Sequence, residues 1–100
     1  MALIDALKAS ADVLDKVGET FWGPKLRDAA ERCFDDPRIA YDIVAWLSGQ
    51  DSLADFRIRK SAGHKVEEQS EVAVTRNFQG QLDIAYENAQ ELRRWMDLNT

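Results

Sequence analysis

The sequence has few of the residues from which metal and redox sites are built. Its 100 residues contain one cysteine, Cys33, and one histidine, His64. A single cysteine cannot form an internal disulfide, which favours a reducing compartment, and we expect a cytoplasmic protein. These two residues cannot supply the three or four ligands of a zinc site. We therefore expect no metal and no cofactor, and we interpret Cys33 as a packed residue on the apolar face of its helix.

Long apolar runs and an excess of positive charge are also missing. No run approaches the roughly 20 apolar residues of a membrane span, and the first residues lack the basic start of a signal peptide, so no membrane association is expected. Thirteen Lys and Arg stand against 18 Asp and Glu, a formal net charge of −5. We expect no direct nucleic-acid binding, because its affinity comes largely from cations that neutralise phosphates. A basic protein partner suits this charge.

Catalytic motifs are absent as well. The chain has no glycine-rich phosphate loop and no Gly-x-Ser-x-Gly elbow. Acid–base catalysis needs two carboxylates that converge in a cleft, whereas pairs such as Asp35-Asp36 are explained by a helix end. We predict no catalytic residues and no enzyme. One alternative stays open, a small-ligand or enzyme pocket in the Trp46–Arg57 stretch, formed by Trp46, Ser52, Asp55 and Arg57.

Apolar residues recur at three- and four-residue steps over most of the chain, which is the period of one helix face. This pattern predicts helices over about residues 2–17 and 20–35. A third helix is predicted from Asp36-Pro37 to Gly49, and a fourth of about 25 residues after Ser70. The fourth carries a nearly heptad seam: Val74, Phe78, Leu82, Ala85, Ala89, Leu92 and Met96. We predict a mainly α fold, a single helical domain over residues 1–100 folded as a four-helix antiparallel bundle.

Helix ends are also marked in the sequence. Gly18 is the predicted stop of helix one, and Thr20 or Gly23 the predicted cap of helix two. Gly49 is the predicted stop of helix three, since glycine tolerates the left-handed backbone that follows a helix. Ser52-x-x-Asp55 has the spacing of a capping box that would start a new helical turn.

The stretch between helices three and four has a different pattern. Phe56 to Lys60 alternates apolar and cationic residues, which is typical of a strand, and residues 61–63 have turn chemistry. Residues 64–68 would then run back beside the first strand, with His64 near the turn tip. The sequence predicts either a short β-hairpin over residues 56–68 or a loop without regular structure.

Two groups of side chains are candidates for contact with a partner. Asp83, Glu87 and Glu91 form an exposed row at four-residue steps on helix four, while Tyr86 and Trp95 lie off its seam. The second group is cationic and includes Arg57 and Arg59, although Glu67, Glu68 and Glu71 nearby favour a self-neutralised surface of salt bridges. We predict partner binding through these residues: Asp83, Tyr86, Glu87, Glu91, Trp95, Arg57 and Arg59.

The residues Glu19-Thr-Phe-Trp22-Gly-Pro-Lys-Leu26, Asp36-Pro37 and Trp46-Leu-Ser-Gly-Gln-Asp-Ser-Leu-Ala-Asp55-Phe carry a resemblance. They resemble a group of small uncharacterised bacterial helical proteins with a Trp/Phe-Gly-x-x-Ser-x-x-Asp corner. The resemblance implies a helical fold and a bacterial or phage origin, and no activity.

Together these features predict a small acidic binding protein of the inhibitor or immunity type, which acts by contact with another protein. The alternative is a homo-oligomeric structural module, such as a homodimer, built on the last helix.

Overall fold

A computed structural model describes residues 2–48 and 52–99. Within these residues the protein is mainly helical and has no strand, so the predicted helical fold is confirmed and the β-hairpin is wrong. The four helices are α1 (Ala2–Lys16), α2 (Trp22–Arg32), α3 (Ile39–Leu47) and α4 (Glu71–Leu98). Three short 3-10 turns lie between α3 and α4, at Leu53–Asp55, Lys60–Ala62 and Glu68–Ser70. None of the described helices is long and apolar enough to cross a bilayer.

The end of α1 confirms the predicted stop at Gly18. Gly18 has a φ of +78°, in the left-handed region that favours glycine. Its N–H donates to the Asp15 carbonyl at 3.1 Å, and the Glu19 N–H donates to the Leu14 carbonyl at 3.0 Å. This pair of hydrogen bonds is a Schellman motif, which satisfies carbonyls that the helix itself cannot pair.

The start of α2 differs from the prediction, because the cap is Glu19 rather than Thr20 or Gly23. One Glu19 oxygen accepts the N–H groups of Phe21 at 2.6 Å and Trp22 at 2.9 Å. The other oxygen accepts the Gly23 N–H at 2.8 Å. A carboxylate that accepts several backbone N–H groups pairs the free donors of a first turn and adds a favourable charge there.

The start of α3 follows the Asp36-Pro37 signal. The Asp36 carboxylate accepts the Arg38 backbone N–H at 3.1 Å and the Arg38 Nε–H at 2.9 Å. Both hydrogen bonds lower the pKa of Asp36, the guanidinium contributing most. The Ile39 and Ala40 N–H groups reach back to the Asp36 and Pro37 carbonyls, so a tight turn precedes the regular helix.

The helices pack against one another as a helical bundle. α1 packs against α2 and α4, and α3 packs against α4. Arg27 of α2 pairs with Asp12 and Asp15 of α1. Tyr41, near the start of α3, donates a hydrogen bond to Asp97, near the end of α4. This hydrogen bond joins the start of α3 to the end of α4, so these two helices run in opposite directions.

The longest helix provides the spine of the bundle. α4 has 28 residues, about 42 Å of helix, whereas α1 has 15. Five of the seven predicted seam positions of α4 are buried: Phe78, Leu82, Ala85, Ala89 and Met96. The shorter helices cannot cover the whole of α4, so the first turns of α4 are covered by residues 56–60 instead.

Those residues form an extended segment against α4, not one strand of a hairpin. Phe56 meets Phe78 with ring centroids 5.8 Å apart, and Ile58 is fully buried. The Thr75 hydroxyl accepts a hydrogen bond from the Ile58 N–H at 3.0 Å and donates one to the Ile58 carbonyl at 3.3 Å. The Lys60 N–H donates to Glu71 Oε1 at 2.8 Å. The alternating pattern correctly indicated which side chains are buried, but a helix face, not a second strand, buries them.

The return stretch is bound to other parts of the chain. The Lys65 N–H donates to the Val17 carbonyl at 2.8 Å, at the end of α1. His64 is half-buried, not at an exposed tip, and its Nδ1 accepts the Arg59 N–H at 3.0 Å. These contacts use the backbone groups that a hairpin ladder would need.

The corner after α3 is only partly described, because Gly49 and the predicted helix stop there lie outside the described residues. Trp46 meets Trp22 edge to face at 6.1 Å, and Lys25 Nζ lies 4.7 Å from the Trp46 ring centroid. Ser52 makes no capping hydrogen bond, and its Oγ is buried without a hydrogen-bond partner among the described residues. The predicted capping box is therefore not formed.

Candidate binding surfaces

The outward side of α4 carries the acidic row. Asp83, Glu87 and Glu91 are exposed, and their four-residue spacing places them along one side of the helix. None of them takes part in an ion pair with a described residue. Other acids of the protein are used internally, such as Asp12 and Asp28, which pair with arginines. The row is thus a line of three exposed carboxylates that form no ion pair with a described residue.

Two aromatic residues near this row have different surroundings. Trp95 is 60% exposed and, four residues beyond Glu91, continues the row towards the end of α4. It also lines a shallow groove of about 270 Å³ between the start of α3 and the end of α4. Tyr86, by contrast, is half-buried and packs against the core. Trp95 therefore offers a large apolar contact area, and Tyr86 offers only its edge.

The groove beside Trp95 is bordered by a tyrosine with a perturbed hydroxyl. Tyr41 donates a hydrogen bond to the Asp97 carboxylate, and this raises the pKa of Tyr41. Arg93 lies 5.9 Å from the Tyr41 ring centroid. The tyrosine is therefore held as a neutral donor that joins α3 to α4.

The second surface is a groove lined by arginines, about 340 Å³ in volume, between Ile58 and the first turns of α4. Arg57 and Arg59 line it from the extended segment, and Arg76 lines it from the helix. All three are exposed. Sequence reasoning singled out Arg57 and Arg59 but missed Arg76, because 17 residues or more separate it from them along the chain.

The predicted neutralisation of these cations by nearby acids is not formed. Across residues 2–48 and 52–99, every ion pair involves Arg27, Arg32 or Arg38. Glu67 accepts instead from the Gln69 amide at 3.2 Å, and Glu71 accepts from the Lys60 backbone. Amide and backbone donors thus occupy Glu67 and Glu71, two of the three acids that were expected to pair with Arg57 and Arg59.

The pocket predicted at the corner stays a prediction, because residues 49–51 of the corner lie outside the described residues. Arg57 lines the arginine groove, whose other walls come from α4 and not from Trp46, Ser52 or Asp55. Trp46 packs against Trp22 instead. Within the described residues, no three His, Cys, Asp or Glu side chains come together as a metal site would require.

Cys33 is buried at the end of α2, as the packing interpretation expects. Its burial raises the pKa of the thiol, because a thiolate is disfavoured away from water. A raised thiol pKa lowers the fraction of the reactive thiolate. The residue has the surroundings of a small core side chain, not those of a nucleophile.

Comparison with known proteins adds no relative to this picture. No family model matches the chain, and neither a curated protein nor a solved structure matches it at a significant level. The resemblance of the corner to a bacterial group is thus carried by its residues alone. The surfaces of the protein are the remaining guide to its function.

Proposed function

We propose that this protein is a small binding protein of the inhibitor or immunity type, which acts by covering a basic surface of another protein. The observation that carries the proposal is the row of Asp83, Glu87 and Glu91, which is exposed and unpaired among the described residues. A rigid helix holds the three carboxylates, so little ordering entropy is lost on binding.

The neighbouring Trp95 supports the same proposal. Interfaces owe much of their affinity to a few large residues, tryptophan above all, surrounded by polar contacts. Trp95 is exposed and, four residues beyond Glu91, lies about one turn further along the same side of the helix. Carboxylates would then attract a basic partner and set its orientation, while Trp95 would supply apolar contact area.

The test compares two variants of equal charge. The row variant carries Asp83→Asn, Glu87→Gln and Glu91→Gln. The control carries Asp35→Asn, Asp42→Asn and Glu68→Gln, which are exposed acids away from the row. Each protein is used to capture partners from bacterial lysate, with quantitative mass spectrometry as the measurement. We expect one basic protein to be retained by wild type and control and reduced at least tenfold by the row variant. Equal recovery by both variants would contradict the proposal.

A second candidate is a homodimer through the same helix. Ile84, Trp95 and Leu98 are exposed, and their spacing of eleven and fourteen residues from Ile84 places them on one side of α4. An apolar stripe of this kind favours self-association. Light scattering at increasing concentration separates the two candidates: a homodimer doubles the mass, and Trp95→Ala restores the monomer.

A further inference from the structure

The arginine groove is lined by three arginines and by one glutamate, whose side chain is held by a backbone hydrogen bond. Arg57, Arg59 and Arg76 line it together with Glu71, a formal excess of two positive charges. Glu71 Oε1 already accepts the Lys60 N–H, so one of the two carboxylate oxygens is occupied by a backbone donor. No ion pair among the described residues involves the three guanidinium groups. On a protein of net charge −5, this groove is a local reversal of sign.

The walls of the groove are held in place by hydrogen bonds and burial. Ile58 is fully buried, and its backbone is bound to the Thr75 hydroxyl, one residue before Arg76. Arg57 and Arg59 flank Ile58, so their backbone positions are set by this contact. A cation that is carried on a fixed backbone loses less freedom on binding than one on a mobile loop.

The start of α4 adds a further positive contribution. Glu71 and Val72, in its first turn, line the groove, and the preceding Ser70 makes no side-chain capping hydrogen bond. The Glu71 N–H donates to the Glu68 carbonyl of the preceding 3-10 turn, and the helix dipole places partial positive charge at this end. An anion in the groove would therefore meet this helix end as well as the arginines.

We propose that this groove binds a small ligand through a phosphate monoester group. Such a group carries about −1.5 to −2 charges at pH 7, which matches the excess of two positive charges. The planar guanidinium matches phosphate oxygens with two parallel hydrogen bonds. The groove volume of about 340 Å³ is within the range of small-molecule sites. The net charge of −5 disfavours long polyanions such as nucleic acid, so the ligand is a small one. This site is separate from the acidic row and does not depend on it.

The experiment titrates the isotope-labelled protein with phenyl phosphate at about 0.15 M salt, followed by NMR. We expect saturable shifts at the backbone amides of residues 57–59 and 71–76. Arg76→Gln should weaken binding about tenfold, because a charge-assisted contact is lost. Arg94→Gln is the matched control: Arg94 is an exposed arginine on the same helix, outside the groove, and its change should weaken binding less than twofold.

Two further titrations define the ligand class. Succinate carries a similar charge without the phosphate geometry, and a short oligothymidylate carries phosphodiesters. Weaker binding of both than of phenyl phosphate supports the proposal. Absence of saturable shifts, equal binding of succinate, tighter binding of the oligonucleotide, or equal weakening by the two arginine variants would each overturn it.

Discussion

The two halves of α4 are covered in different ways. The helices α1 and α3 pack against α4, and the buried positions within residues 81–98 are apolar: Leu82, Ala85, Ala89 and Met96. Residues 71–80 are covered by the extended segment, and polar side chains of α4 take part in that contact. Helices pair their own backbone groups, so a helix that covers another needs only apolar contact. An extended segment has unpaired backbone groups, and Thr75 and Glu71 supply their partners.

The two halves also differ in charge. The first half joins Arg76 to the arginines of the extended segment, and the second half presents the acidic row that begins at Asp83. Two surfaces of opposite charge therefore lie on different parts of the same helix. A partner and a small anion would each have its own part of α4.

The largest expected effect is at the contact between the extended segment and the first half of α4. Phe78 is fully buried and meets Phe56 of the extended segment. We expect Phe78→Ala to lower the free energy of unfolding by about 3–5 kcal/mol, because a large cavity is left. Urea denaturation measures this. Phe34, 72% exposed, is the control, and Phe34→Ala should change stability by less than about 0.5 kcal/mol. Similar effects of both changes would show that the segment is not packed on α4 as described.

An intermediate effect is expected at Thr75, whose hydroxyl binds the extended segment to the first half of α4. Thr75→Val keeps the shape of the side chain but leaves the Ile58 N–H buried without a partner. We expect a loss of about 1–3 kcal/mol in the free energy of unfolding. The Ile58 amide should also exchange its hydrogen faster, whereas Thr75→Ser should retain protection. If valine is tolerated without either change, apolar contact alone holds the segment and the difference between the halves disappears.

The smallest expected effect is a gain in stability, and it is expected at Gly80, where the two halves of α4 join. Gly80 lies in an uninterrupted helix, and a methyl group added to it would meet nothing within 4 Å. Gly80→Ala should therefore stabilise the protein by about 1 kcal/mol, because alanine favours a helix. Ala73→Gly, at an exposed position of the same helix, should destabilise it by a similar amount. Destabilisation by Gly80→Ala in thermal denaturation would contradict an open site at Gly80.

The sequence by itself determined the features that depend on nearby residues. The three- and four-residue apolar steps placed all four helices, and the seam of α4 identified Phe78 and Leu82 as core. Gly18 and Asp36-Pro37 marked helix ends through the backbone conformations they favour. The exposed acidic row followed from the four-residue steps of one helix. Such signals are local because a helix is defined by contacts between residues up to four apart.

Only the tertiary structure decided which distant groups meet. The alternation at residues 56–60 indicated one buried side but not whether a strand or a helix covers it. Ile58 finds Thr75 across 17 residues, and Arg76 joins Arg57 and Arg59 across a similar distance. The physical reason is that a buried polar or apolar group requires some partner and does not specify which one. The length and packing of α4 determined that a helix covers the extended segment. The same contact brings Arg57, Arg59 and Arg76 into one groove.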